Sequence, residues 1–164
     1  MFSNLSPFTK LHVVISLIGI VSGLVVMFGL LVGRRLNGWT TLFLISTVLT
    51  SVTGFFFPFH GVTPAIVVGI ISLVLLAVAI VARYARHLAG AWRWMYVVTA
   101  MISLYLNVFV LIVQLFQKVP ALRVLAPTQS EPPFAVTQLA VLGLFVVLTI
   151  VALIRFRSEQ LRMA

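Results

Sequence analysis

Residues 11 to 33 read LHVVISLIGIVSGLVVMFGLLVG, an apolar run without one Lys, Arg, Asp or Glu, closed by Arg34 and Arg35. A run of this length matches the hydrocarbon core of a bilayer, about 30 Å thick and crossed by a helix of roughly 20 residues. Lipid offers no partner to backbone N–H and C=O groups, so the run must bond to itself, and it does so as a helix. Although it follows a short polar start carrying Lys10, it outlasts the roughly 7 to 15 apolar residues of a signal-peptide core and has no convincing small-x-small cleavage site. It is expected to stay in place as the first span.

Four more segments repeat the pattern, from Trp39 to Phe59, Thr63 to Ala82, Trp92 to Phe116 and Phe134 to Ile154, with an outer loop at 117–133 between the last two. None shows the period-two alternation of an outer-membrane barrel strand. The sequence thus predicts an all-α integral membrane protein, a single membrane domain over residues 1–164 built as a five-transmembrane-helix bundle. Composition agrees: 62% of the residues are hydrophobic, 8% are charged and mean hydropathy is +1.24, values outside those of soluble domains.

The cations test the count. Arg34, Arg35, Arg83, Arg86, Arg93, Arg155, Arg157 and Arg162 fall on one side of a five-span arrangement, against Lys10, Lys118 and Arg123 on the other. The richer side is expected to be cytoplasmic, which puts the N-terminus outside and the C-terminus inside. Trp39, Trp92 and Trp94 belong to the same side, where an amphipathic ring settles at the interface. The short loops and this bias point to a bacterial inner (cytoplasmic) membrane. A net charge of +9 is spread over helix ends rather than gathered into a basic and aromatic surface, which argues against nucleic acid and for attraction to anionic headgroups of the bilayer. In length and number of expected spans the chain resembles the tryptophan-rich sensory proteins, but it lacks their tryptophan-dense pattern, and no residue role is carried over.

Small residues mark expected helix contacts: Ser16, Gly19 and Gly23 on one stripe, Gly29 and Gly33 on another, and Ser46, Thr47, Thr50, Ser51 and Gly54 on the second span. Such faces let backbones approach, and their hydroxyls can bond back to their own helix. On the fourth span Tyr96, Thr99, Ser103, Asn107, Gln114 and Gln117 recur at helical spacing and form a polar seam. Asn107 lies near mid-depth, where an unpaired amide is costly. Its alternatives are a hydrogen bond to the second span's hydroxyls or a place in a ligand path.

At the outer end of that seam topology collects Gln114, Gln117, Gln138 and Glu131, with His12 and His60, and Asn107, Gln114, Gln117, Gln138 and Glu131 are the candidate ligand-binding residues. His12 and His60 are the only candidates for a metal or haem, since neutral imidazole ligates both, but no partner stands at a ligand spacing, so no cofactor is expected. Glu131 precedes Pro132 and Pro133, a pair suited to a first helical turn. Thr128 or Ser130 is expected to cap that turn, with the carboxylate at the positive end of the helix dipole or facing a cation or headgroup outside. The stretch from Pro120 to Ala126 is expected as a short amphipathic turn at the outer surface.

Cysteine is absent, which removes thiol chemistry. There is no HExxH, no GxSxG, no carboxylate pair and no glycine-rich phosphate loop, so an enzyme is not expected. The leading expectation is a small bundle that acts by association, as a homo-oligomer or as an accessory subunit of a larger membrane complex. Binding or transport of a small apolar or amphipathic molecule through the outer polar mouth is the alternative. A haem- or metal-bearing redox subunit using His12 and His60 is a third.

Overall fold

The computed structural model describes residues 6–58 and 64–161, with side chains through 156; His60 and Arg162 lie outside the described residues, as do the side chains of Arg157 and Glu159. The order is α1 (Pro7–Leu31), α2 (Asn37–Gly54), α3 (Pro64–Ile80), a π-helical turn (Val81–Ala85), α4 (Trp92–Lys118), α5 (Pro120–Leu125) and α6 (Pro132–Leu161), with no strand among the described residues. Four of these are long and apolar enough to cross a membrane: Pro7–Leu31, Pro64–Ala85, Trp92–Lys118 and Pro132–Phe156. This is the architecture of a membrane protein.

The second expected segment forms a helix too, but a shorter and more hydroxylated one. α2 spans 18 residues, and Thr40, Thr41, Ser46, Thr47, Thr50, Ser51 and Thr53 hold down its apolarity. Most of these hydroxyls are satisfied within the helix, as the donations of Ser46 Oγ to the Leu42 carbonyl (2.6 Å), Ser51 Oγ to that of Thr47 (3.0 Å) and Thr53 Oγ1 to that of Leu49 (2.6 Å) show. A helix with such a face is still apolar outward, and Leu42, Ile45, Leu49 and Val52 are exposed.

α4 is the centre of the bundle. Tyr96, Val97, Ala100, Met101, Ser103 and Leu104 are buried on it, and it contacts α1, α3 and α6. Paired contacts give the directions. Along α1 and α2, His12 meets Thr53, while Gly19 lies against Ser46 and Thr47, and Gly23 against Phe43, so the two run antiparallel. Gly19 also approaches Asn107 and Gly23 approaches Leu104, which makes α4 antiparallel to α1. Between α4 and α6 the ring pairs Phe116–Phe134, Tyr105–Phe145 and Tyr96–Phe156 fix the same relation.

The first glycine stripe is a close approach inside the chain. A Cβ on Gly23 would stand 2.5 Å from Leu104 Cδ1 and 2.9 Å from the Phe43 ring. Only a residue without a side chain lets α1 sit this near to α2 and α4 at once. The second expected stripe is not one: α1 ends at Leu31, and Gly33 lies beyond it at φ 75°, where glycine closes the helix in the left-handed conformation. Arg34 N–H then donates to the Gly29 carbonyl at 2.7 Å.

Candidate functional site

The polar seam of α4 divides where it meets its neighbours. Thr99 and Ser103 bond back to their own helix, to the Met95 and Thr99 carbonyls, each at 2.8 Å. Asn107 reaches across instead: its Nδ2 donates to Thr47 Oγ1 at 3.2 Å, and Thr47 is fully buried. Of the two alternatives for Asn107, the interhelical hydrogen bond is the one the geometry contains.

The outer residues fall into two separate groups on either side of α4. In the first, His12 Nδ1 and Thr53 Oγ1 share a hydrogen bond of 2.8 Å, and the imidazole stands edge-on to Phe57 with centroids 5.0 Å apart. Close by in sequence on α2, Thr50 Oγ1 is buried with no hydrogen-bond partner among the described residues. Among the described residues no three His, Asp or Glu side chains come together.

The second group is built from glutamines. Gln138 Nε2 on α6 donates to the Phe109 carbonyl of α4 at 3.3 Å. One turn further along α4, the Val113 carbonyl receives Gln129 Nε2 at 3.0 Å, and Gln117 Nε2 donates to Gln129 Oε1 at 3.4 Å. Gln129 takes part because its backbone is left-handed, φ 62°, which turns its side chain down onto α4; the sequence carried no signal for this residue. Gln138 is buried at 8% exposure, and its Oε1 has no partner among the described residues. Its donation through Nε2 fixes which way the amide points, so the bare acceptor is a feature of the site. Beneath this group Ile112, Phe116 and Ala126 form a small apolar core with Leu122, Phe134 and Val141 around it.

Glu131 belongs to the loop rather than to the mouth. Its Oε1 accepts from Thr128 N at 3.1 Å and from Thr128 Oγ1 at 2.8 Å, and its Oε2 accepts from Ser130 N at 3.1 Å. Desolvation, the largest single influence, raises its pKa, but the hydrogen bonds together outweigh it and hold the carboxyl below the usual glutamate range. Thr128 and Ser130 therefore do not cap α6 as expected; they are spent on Glu131, whose own carbonyl accepts from Phe134 and Ala135 N–H. The stretch from Pro120 is helical as expected, with Val124 and Leu125 exposed.

At the opposite end the cations gather with aromatic rings. The Arg83 guanidinium donates to Asn37 Oδ1 and lies 5.4 Å from the Tyr96 ring centroid and 5.7 Å from that of Tyr84. Arg86 stands over Trp92 at 5.2 Å and Arg35 over Phe156 at 5.9 Å. Trp39, Trp92 and Trp94 start α2 and α4 at this same end. No sequence pattern announced the π-helical turn that carries Arg83. No protein-family model, no curated protein and no solved structure matches this chain.

Proposed function

We propose that this chain is a five-span bacterial inner-membrane protein, N-terminus outside and C-terminus cytoplasmic, that acts without catalysis by associating with a second copy or a larger membrane complex. α2 supplies the fifth crossing: at 1.5 Å per residue its length is about 27 Å, close to the thickness of the hydrocarbon core. Its two ends stay level with its neighbours, Thr53 at His12 of α1 and Thr41 at Tyr84 after α3. The concentration of Arg34, Arg35, Arg83, Arg86, Arg93 and Arg155 at one end supports the orientation.

The observation that carries association is Gly143. Gly19, Gly23, Gly29 and Gly69 lie in helices where a Cβ would come within 3.3 Å of a neighbour, and Gly38 and Gly54, which have room, stand at the two ends of α2; Gly143 is in the middle of α6, and there a Cβ would meet nothing within 4 Å. Glycine weakens a helix interior relative to alanine by roughly 0.5–1 kcal/mol, and inside this molecule α6 receives nothing for it. Around Gly143 the helix exposes Leu139, Leu142, Val146, Val147 and Ile150, with Ala140 one turn before. A gap of this kind in an apolar face admits another helix at close range. The chain has no cysteine, so Gly143→Cys and Val74→Cys, the latter on the exposed side of α3, are clean probes in native membranes. Mild oxidation is expected to give a cross-linked species from Gly143→Cys and none from Val74→Cys. Equal cross-linking from both would reject the α6 face.

Gln138 favours a second reading, a polar ligand at the glutamine group. Its buried, unpartnered Oε1 suits a hydroxyl or ammonium donor carried by a small amphipathic molecule. On this reading Gln138→Leu abolishes retention of the molecule through purification while Asn107→Leu, on the other side of α4, leaves it bound; retention by both variants would reject it.

A further inference from the structure

Arg83 is a half-buried cation whose hydrogen-bond partner and ring contacts are neutral: Asn37, Tyr84 and Tyr96. The chain has two acidic residues. Glu131 is at the far end of α6, bound into its own loop; Glu159 is the other, and no described carboxylate stands at the arginine end. A guanidinium carries five N–H donors in a rigid fork, more than the Asn37 Oδ1 acceptor and the Tyr96 hydroxyl can take up.

The surroundings hold this fork still. Tyr84 is fixed by a 2.9 Å hydrogen bond between its hydroxyl and Thr41 Oγ1. Tyr96 is buried, with its hydroxyl 3.5 Å from Thr40 Oγ1. The turn that carries Arg83 is π-helical and ends α3, closed by Arg86 N–H on the Val81 carbonyl at 2.9 Å, as wide turns at helix C-termini are. After it the chain passes through two non-glycine residues with positive φ, His87 at 48° and Leu88 at 60°, a costly conformation kept by burial of Leu88 and its 2.9 Å hydrogen bond to the Ala82 carbonyl. Arg86, three residues beyond Arg83, adds a second positive charge over Trp92.

We infer that Arg83 is the anchor of a phospholipid site, in which the guanidinium N–H groups not turned to Asn37 and Tyr96 take the phosphodiester of an anionic headgroup and Arg86 contributes charge. Phosphate matches the planar fork with two parallel hydrogen bonds and a full negative charge, which the neutral partners do not supply. The headgroup, rather than phosphate from solution, fits the position: the cation sits at the end of a helix long and apolar enough to span, at the depth where headgroup phosphates lie.

The test is native mass spectrometry of the full chain taken from vesicles of phosphatidylglycerol and phosphatidylcholine in equal parts, reading the fraction of protein that keeps a lipid. Wild type is expected to retain phosphatidylglycerol selectively. Arg83→Gln is expected to cut that retention about tenfold, the loss of one charge-assisted phosphate contact. Arg83→Lys keeps the charge but not the fork and is expected to fall between them, which provides the comparison if Arg83→Gln does not fold. Arg123→Gln, at the other end, is expected to match wild type. Equal retention by the Arg83 variants and wild type, an equal loss in Arg123→Gln, or equal retention of phosphatidylcholine would overturn the inference. Displacement of the lipid by millimolar inorganic phosphate would overturn it in favour of a soluble anion.

Discussion

Gly23 and Gly143 sit near the middle of two spanning helices, and the surroundings of each are opposite. Around Gly23, α1, α2 and α4 come so near that Leu104 and Phe43 occupy the space a side chain would need. Hydroxyls in the same region turn back onto their own helices, and Asn107 ties α4 to Thr47. Around Gly143 the helix has the same absence of a side chain and no neighbour to use it. The α1–α2–α4 packing closes within one chain, whereas the face of α6 around Gly143 is left open among the described residues, the feature on which the proposed association rests.

Substitutions separate the two regions most sharply where the space is filled. Gly23→Leu drives a branched side chain into Leu104 and Phe43, and overpacking of this kind costs about 1–3 kcal/mol or more; it is expected to show the largest fall in thermal unfolding temperature and poor recovery in detergent. Asn107→Leu removes the interhelical hydrogen bond to Thr47. Bonds of this type in membranes are worth about 0.6 kcal/mol on average, so the same assay is expected to register a drop clearly smaller than that of Gly23→Leu. A fall as large as that of Gly23→Leu would show that Asn107 carries more than packing.

The loop at the other side of α4 gives the smallest effect. Glu131 has a folded pKa below its unfolded value, about 4.3, so its contribution is fully present above that value and is lost as pH falls through the lowered folded pKa. The Thr128 and Ser130 amides are expected to exchange more slowly at neutral pH than the same amides in an unfolded chain, to lose that protection factor on strong acidification, and to lack it at neutral pH in Glu131→Gln. Global unfolding is expected to change little, because the carboxylate lies outside the packed helices.

Much of this plan is legible in the sequence. Apolar runs give the long helices, because lipid leaves a backbone no alternative, and Pro7, Pro64 and Pro132 begin three of them. Helical spacing along α4 puts Asn107 on the face that meets α2, and the hydroxyl-rich pattern of α2 identifies its partner. Other features depend on position in space, which spacing does not encode. Gly29 and Gly33 look like a helix stripe although the second already stands past the helix end at φ 75°. Gln117, Gln138, His12 and Glu131 are expected at one depth, yet His12 bonds to α2 while the glutamines gather between α4 and α6, because depth does not say on which side a residue faces. Gln129 enters the site through a left-handed backbone, and Arg83 through a π-helical turn; local composition distinguishes neither from ordinary loop and helix.

We propose that the α6 face around Gly143 serves association and is not needed for the fold of the single chain. The most direct test is Gly143→Leu, followed by native mass spectrometry after gentle extraction and by thermal unfolding. Wild type is expected as a species heavier by a second copy or a partner subunit, and Gly143→Leu is expected to lose that species while unfolding at a temperature no lower than wild type. Undiminished association in the variant, or a wild-type chain that is wholly monomeric, would contradict it.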